Sequence, residues 1–170
     1  MNKIIFLDID GVLNTEYYQG VLQYKGKPWQ DEYGALFDPK AVAGLKRIIE
    51  VTGAEIVIES SWKYLGLNTL KQLWTHRKLP GKVIDITPSL ISDKYLLKLN
   101  LSESEIDMNI SKGIEIASWL IDNDKKDAKY VIIDDEYVIM ESQLANFILT
   151  NPYEGITNTQ VVNAISILNR

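Results

Sequence analysis

Short apolar runs alternate along this chain with longer segments in which apolar residues recur at helical spacing. Five of the runs are predicted to be strands: 3–7, 54–58, 82–87, 129–133 and 146–150. Strands that alternate with helices in this way are typical of βαβ units, whose strands pair in parallel. The pattern therefore predicts an α/β fold with a central parallel sheet.

The segment 38–53 carries the clearest helix signals in the sequence. Asp38 is a good N-cap, Pro39 suits the first helical position, and Gly53 follows the last turn. Further helices are predicted from similar signals: 67–78, which Pro80 and Gly81 end; 112–122, which Ser111 can cap; and a last helix opened by a capping box of Thr157 and Gln160. The segments 14–36 and 89–110 fit neither the strand nor the helix pattern.

Composition limits the classes of protein to which the chain can belong. Its 170 residues and 46% hydrophobic content suit one globular domain over 1–170. The absence of cysteine excludes disulfides, thiolate metal sites and thiol nucleophiles. A formal net charge of -5 argues against a general polyanion-coating role. The N-terminal apolar run reaches Asp8 too soon for a signal peptide or a membrane span, so we expect a cytoplasmic protein.

Polar side chains collect where the predicted strands end. They are Asp8 and Asp10 after the first strand, Ser60 and Ser61 after the second, Asp134 and Asp135 after the fourth, and Lys112 at a helix start. In a parallel sheet such side chains converge on one crevice. Two unit charges about 4 Å apart repel by roughly 4 kcal/mol at an effective dielectric near 20, so the carboxylates should share a cation. Hard oxygen ligands favour Mg²⁺, and the lysine and hydroxyls beside it suit a phosphate ester.

Four motifs resemble, in order and spacing, those of the haloacid dehalogenase (HAD) superfamily: DIDGVLN, IVIESSW, SKGIEIASWL and VIIDDE. The resemblance covers nearly the whole chain. It is closest to the small HAD domains related to those of RNA-repair proteins, which lack a large cap. It implies a three-layer Rossmann-like fold with a small flap insertion. It also implies a Mg²⁺-dependent phosphohydrolase that acts on a phosphomonoester.

The resemblance assigns a role to each motif residue. Asp8 would be the nucleophile that forms a phosphoaspartyl intermediate, and Asp10 would serve as acid and base. Two binding sets are implied: a Mg²⁺ set of Asp8, Asp10, Asp134 and Asp135, in which Asp10 offers its backbone carbonyl, and a phosphate set of Ser60, Ser61, Lys112 and Gly11. The choice between Ser60 and Ser61 stays open, as does the choice of Asp134 or Asp135 for direct metal contact.

Residues 14–36 occupy the position at which the family has a helical squiggle and a β-hairpin flap. Gly11, just before them, allows an unusual backbone turn. The segment is rich in aromatic residues that could stack on a base or sugar: Tyr17, Tyr18, Tyr24, Trp29 and Tyr33. We therefore expect it to cover a small phosphorylated substrate, such as a nucleotide or the phosphorylated end of an oligonucleotide.

Two other functions are compatible with the same residues. One is a non-catalytic module that binds phosphate or a partner, which the complete set of motif residues disfavours. The other is a receiver-like domain that is phosphorylated on aspartate. In receivers the phosphorylated aspartate follows strand three, whereas the acids of this chain follow predicted strands one and four. A dehalogenase proper would have no need of Asp10.

One histidine and three tryptophans are predicted to have no catalytic role. The only histidine, His76, lies near a helix end beside cations, and no histidine-based catalysis is predicted. Trp62, Trp74 and Trp119 are predicted to belong to the core.

Overall fold

The computed structural model describes residues 2–89 and 110–170, in which strands and helices alternate as the apolar pattern predicts. In chain order the elements are β1 (Lys3–Leu7), α1 (Glu16–Tyr24), β2 (Gln30–Asp31), β3 (Gly34–Ala35), α2 (Pro39–Thr52), β4 (Glu55–Ile58), α3 (Leu67–His76), β5 (Val83–Ile86), α4 (Ser111–Asp122), β6 (Lys129–Asp134), β7 (Phe147–Leu149) and α5 (Asn158–Leu168). Short 3₁₀ helices cover Ser61–Leu65 and Glu141–Asn146.

β1 lies at the centre of a five-stranded parallel sheet with the strand order β5-β4-β1-β6-β7. Leu7 is in register with Ile58 of β4 and with Ile133 of β6. Asp8, directly after β1, and Asp134, the last residue of β6, follow these paired positions and therefore lie at the same level of the sheet. This register brings distant parts of the chain to one edge.

The side chains of β1 alternate between two cores. Ile5 and Leu7 belong to the larger core, which α2, α3 and α5 cover, whereas Ile4 and Phe6 belong to a smaller core under α4. The Phe6 ring meets the ring of Trp119 edge-on at 5.5 Å. Burial on both faces is expected of a central parallel strand, and it places the sheet between two helical layers.

All five strands predicted from the apolar runs belong to this sheet, and the clearest helix prediction is confirmed in detail. The Asp38 side chain accepts a hydrogen bond from the backbone N–H of Lys40 at the start of α2. Gly53 ends that helix with φ at 68°, a left-handed conformation that glycine adopts without strain.

Two parts of the chain differ from the prediction. Helix α4 begins at Ser111 itself and has no side-chain cap, so the predicted cap by Ser111 is wrong. Within 14–36 the hairpin β2–β3 is present, but it follows a helix, α1, that the pattern does not predict. The pattern misses α1 because Leu22 is the helix's one buried residue. Nearly all of the segment 89–110 lies outside the described residues.

The described residues contain no large cap over the strand ends, as predicted. None of the described helices has the length and apolar character that a membrane crossing requires.

Candidate active site

Asp8, Lys112 and Asp134 meet at the edge where the strands end. The Lys112 Nζ donates to Asp8 Oδ2 at 2.8 Å and to Asp134 Oδ2 at 2.7 Å. Both carboxylates are buried, and each accepts a further hydrogen bond from a backbone N–H, that of Ile9 for Asp8 and that of Glu136 for Asp134. The structure thus brings together three residues that the sequence holds far apart, and it fixes them through hydrogen bonds.

Negative charge exceeds positive charge around Lys112. Asp8, Asp134 and Asp135 each offer a carboxylate oxygen, and these oxygens lie within 4.8 Å of one another. Burial, helped by the charge of Asp8, raises the pKa of Asp134 to about 7. Burial alone would lower the pKa of Lys112, but Asp8 and Asp134 raise it above its usual range. The lysine therefore stays charged, and one lysine cannot balance three carboxylates.

This donor set fits a hard dication such as Mg²⁺. Three carboxylate oxygens at short mutual distance are the ligands such an ion prefers, and its charge would relieve the repulsion between Asp8 and Asp134. In the described part of the chain, no other cluster of three acidic or histidine side chains meets the same distance limit. The motif resemblance assigns Asp10 to the Mg²⁺ set through its backbone carbonyl. The Asp10 carboxylate is not part of the cluster formed by the other three acids.

Gly11 lets Asp135 approach the loop that follows Asp8. Its φ is 70°, and a Cβ at this position would collide with the Asp135 carboxylate. Any other residue would therefore be strained and would displace one of the clustered acids. The part of Gly11 in phosphate binding stays a prediction.

Two donors hold the Asp10 carboxylate in place. Asn14 Nδ2 donates to Oδ1 at 2.8 Å, and Trp62 Nε1 donates to Oδ2 at 3.0 Å. Trp62 is buried in the larger core, as predicted, but its indole N–H also reaches the site. Sequence reasoning missed this second role. The signal available for it was the position of Trp62 directly after the two motif serines, because a tryptophan combines apolar bulk with one polar donor.

Ser60 and Ser61 differ in their surroundings. Ser60 lies two residues after the end of β4 and is only 1% exposed. Its hydroxyl accepts a hydrogen bond from the backbone N–H of Trp62 at 3.4 Å. Ser61 is exposed and begins the 3₁₀ helix. Ser60 therefore lies against the residue that holds Asp10, whereas Ser61 faces solvent.

Residues 4–161 match the family model described as the HAD domain in Swiss Army Knife RNA repair proteins. The chain belongs to this HAD domain family. The family and the parallel α/β sheet confirm the resemblance drawn from the four motifs. No curated protein and no solved structure matches the chain closely enough to count as a relative.

The C-terminal part of the HAD domain supports the loop that carries Asp10. The Thr150 hydroxyl donates to the carbonyl of Gly11 at 2.8 Å, and the backbone N–H of Ile156 donates to the carbonyl of Val12 at 3.1 Å. A Cβ at Gly155 would collide with that same Val12 carbonyl. Residues that follow β7 therefore fix this loop through hydrogen bonds and close packing.

The hairpin β2–β3 of the HAD domain is fixed by Arg77. Its guanidinium donates to both carboxylate oxygens of Asp31, at 2.9 and 2.6 Å, and to the carbonyls of Gly34 and Ala35. The hydrogen bonds from Arg77 lower the pKa of Asp31. A Cβ at Gly34 would lie 2.9 Å from the ring of Trp62, so the hairpin backbone packs directly on this ring.

The aromatic residues of 14–36 do not form one surface. Tyr33 packs against the larger core and lies 5.5 Å from the ring of His76. Tyr17, Tyr24 and Trp29 are exposed. That this segment covers the substrate stays a prediction.

A buried ionic cluster lies beside the site of the HAD domain. Lys63 Nζ donates to Glu59 Oε1 at 3.1 Å and to Glu115 Oε2 at 2.7 Å, and Thr87 donates to Glu59 Oε2. Burial raises the pKa of Glu59 to about 8, with Glu115 adding to the rise and Lys63 opposing it. The cluster ties the end of β4 to α4, the helix that presents Lys112.

Proposed function

We propose that this chain is a Mg²⁺-dependent phosphohydrolase that cleaves a phosphomonoester through a phosphoaspartyl intermediate. The observation that carries the proposal is the contact of Lys112 with Asp8 and Asp134, beside Asp135, at the strand-end edge. A carboxylate nucleophile, a fixed cation and a pair of further acids are the parts that phosphoryl transfer needs. Membership of the HAD family supports the same chemistry.

Asp8 is the proposed nucleophile. Its carboxylate attacks phosphorus, the bond to the leaving oxygen breaks, and Asp10 donates a proton to that oxygen. Asp10 then takes a proton from the water that hydrolyses the phosphoaspartate. The hydrogen bonds from Asn14 and Trp62 hold the Asp10 carboxylate in one orientation for both steps.

Lys112 and Ser60 are the proposed phosphoryl ligands. Lys112 balances charge on Asp8 and on the phosphoryl oxygens, and its raised pKa keeps it charged. Ser60 is preferred to Ser61 because it is buried next to Trp62. Mg²⁺, held by Asp8, Asp134 and Asp135 with the Asp10 carbonyl, would neutralise phosphoryl oxygens when bound.

The proposed substrate class is a small phosphorylated compound, a nucleotide or the phosphorylated end of an oligonucleotide. The family description, which refers to RNA repair, supports the nucleic-acid end among these. The site explains recognition of the phosphoryl group, and the remainder of the substrate must be recognised by residues outside it.

Hydrolysis of a generic aryl phosphate, with Mg²⁺ or with a chelator, tests the proposed function. Asp8→Asn should lower kcat by at least about a thousandfold, because the nucleophile is lost while the fold is kept. Asp127→Asn, an exposed acid on another surface, is the matched control and should leave the rate unchanged. Ser60→Ala should raise KM more than Ser61→Ala does. Equal rates for wild type and Asp8→Asn would refute the proposal.

A further inference from the structure

A groove crosses the surface formed by α1, the start of α2 and the segment before α5. It consists of two adjoining cavities of about 560 and 360 Å³, which share Tyr17 and Tyr153 as lining residues. Both volumes lie within the range typical of ligand sites. We refer to the two cavities together as the tyrosine groove.

The groove presents aromatic rings to solvent. Tyr17 and Tyr153 meet edge to face at 5.6 Å, yet they remain 44% and 52% exposed. Tyr24, which also lines the smaller cavity, is 93% exposed. Exposed rings spaced along a groove are the platform on which successive nucleobases stack, and stacking tolerates any base because every base has a flat face.

Three cations line the groove: Lys25, Lys40 and Arg47. None of them forms an ion pair with a described residue. Two exposed acids, Glu16 and Glu154, also line the groove. The buried Asp38 lines it as well, and its carboxylate accepts hydrogen bonds from the Thr15 hydroxyl and from the backbone N–H of Lys40. With Asp38 counted, three carboxylates balance the three cations in formal charge, so stacking rather than net charge should supply most of the groove's affinity.

The groove is built on the loop that carries Asp10. The backbone N–H groups of Glu16 and Tyr17 donate to the carbonyls of Pro152 and Tyr153, at 3.0 and 3.2 Å. These hydrogen bonds join the segment directly after the loop to the segment before α5. Because crossover helices run antiparallel to the strands, α2 also begins at the strand-end edge. The groove and the candidate active site therefore share an edge of the molecule.

We propose that the tyrosine groove binds single-stranded nucleic acid, with bases stacked on its tyrosines and phosphates against its cations. The binding itself does not depend on the proposed phosphohydrolase activity. A second part of the proposal is that the groove leads the end of the bound strand toward Asp8. This part rests on the proposed phosphohydrolase activity.

Fluorescence anisotropy with labelled, unphosphorylated ten-residue oligouridylate and oligothymidylate tests the binding on the whole chain. We expect a dissociation constant of about 10–100 μM, with a log–log salt slope no steeper than about -2 for three cations. Tyr153→Ala should weaken binding about tenfold, and Lys40→Gln should reduce the salt slope by about 0.7. Tyr64→Ala and Lys46→Gln alter an exposed ring and an exposed cation outside the groove and should change neither quantity.

Three results would overturn the proposal. They are absence of binding by the wild type, equal weakening by Tyr64→Ala and Tyr153→Ala, and equal affinity for a duplex, whose base faces are covered. Hydrolysis of the aryl phosphate, measured on the same variants, keeps the two proposals apart. We expect Tyr153→Ala and Lys40→Gln to retain the wild-type rate on that small substrate, while kcat/KM for a phosphorylated oligonucleotide falls.

Discussion

At the residue scale, the candidate site depends on small groups whose partners come from elsewhere in the fold. Asp10 is the clearest case, because an indole from the segment after β4 fixes one of its oxygens. A general acid and base works best when its carboxylate is already oriented. Trp62 is therefore a positioning residue for the proposed chemistry.

Trp62→Phe should separate this positioning role from the packing role. The variant keeps an aromatic ring but loses the N–H that donates to Asp10, so kcat for an aryl phosphate should fall about tenfold with little change in KM.

Trp74→Phe is the matched control, because its indole N–H donates to the carbonyl of Pro80, away from the site. The two variants should lose similar stability, and only Trp62→Phe should lose turnover. A parallel loss of turnover in both would show that Trp62 acts through packing alone.

At the element scale, Arg77, the C-cap residue of α3, makes four hydrogen bonds to the hairpin β2–β3. The bidentate contact of Arg77 with Asp31 is mostly buried on the arginine side, with the Asp31 side chain 23% exposed. Such charge-assisted pairs are stronger than most surface ion pairs. The hairpin backbone, the Trp62 ring and the Asp10 carboxylate are thus in successive contact.

The Arg77–Asp31 contact should give the hairpin a defined dependence on pH. The pKa of Asp31 is lowered from its ordinary value of 3.8 by Arg77, so its stabilisation is complete above that value and is lost as the pH falls through the lowered pKa. Asp31→Asn should lower the free energy of unfolding by about 1 kcal/mol at pH 6 and by clearly less near pH 2.5.

Urea unfolding of wild type and Asp31→Asn at both pH values measures the effect. Glu50→Gln breaks the exposed Lys46–Glu50 pair and should have little effect at either pH. If Asp31→Asn lowers the free energy of unfolding equally at pH 6 and pH 2.5, the ionised Asp31–Arg77 contact does not stabilise the hairpin.

The elements themselves could largely be predicted from the sequence, for reasons of burial. Central parallel strands are apolar on both faces, so β1, β4 and β6 appear as continuous apolar runs. Helix α1 could not be predicted in this way, because a helix with one buried residue leaves almost no periodic signal. The cap at Ser111 was mispredicted by one position, since a serine just inside a helix and one just before it look alike in sequence.

At the scale of the whole molecule, contacts between distant elements decide the details of the site. The acids Asp8 and Asp134 were predictable as neighbours, because both directly follow apolar runs. The contacts of Trp62 with Asp10 and of Lys63 with Glu115 were not, because each joins side chains whose separation in sequence carries no periodic signal. Such pairs depend on how the layers pack, which the local pattern does not encode.

The Glu59 cluster should make global stability fall as the pH rises from about 4.5 to about 8. The folded-state pKa of Glu59 is about 8, above its ordinary value of 4.5, so the folded state holds the proton more tightly. This contribution is full below pH 4.5 and is lost as the pH rises through 8. Glu59→Gln cannot ionise, so from pH 6 to pH 9 the wild type should lose at least about 1 kcal/mol more than this variant.

Thermal or urea unfolding at pH 6 and pH 9 provides the comparison. Glu55→Gln, in the more exposed Glu55–Lys82 pair, is the control and should follow the wild-type profile. Parallel profiles for wild type and Glu59→Gln would mean that Glu59 is ionised in the folded protein throughout this range.

The pairing of β1 with β4 and β6 has a consequence for synthesis. Asp8 emerges from the ribosome early, but Lys112, Asp134 and the segment from Thr150 to Ile156 that supports its loop are made much later. A nascent chain therefore carries the proposed nucleophile before the residues that contact it have been made. The proposed activity should arise only when the segment that follows β7 has been released, so that an incomplete copy would not act on phosphorylated compounds around it.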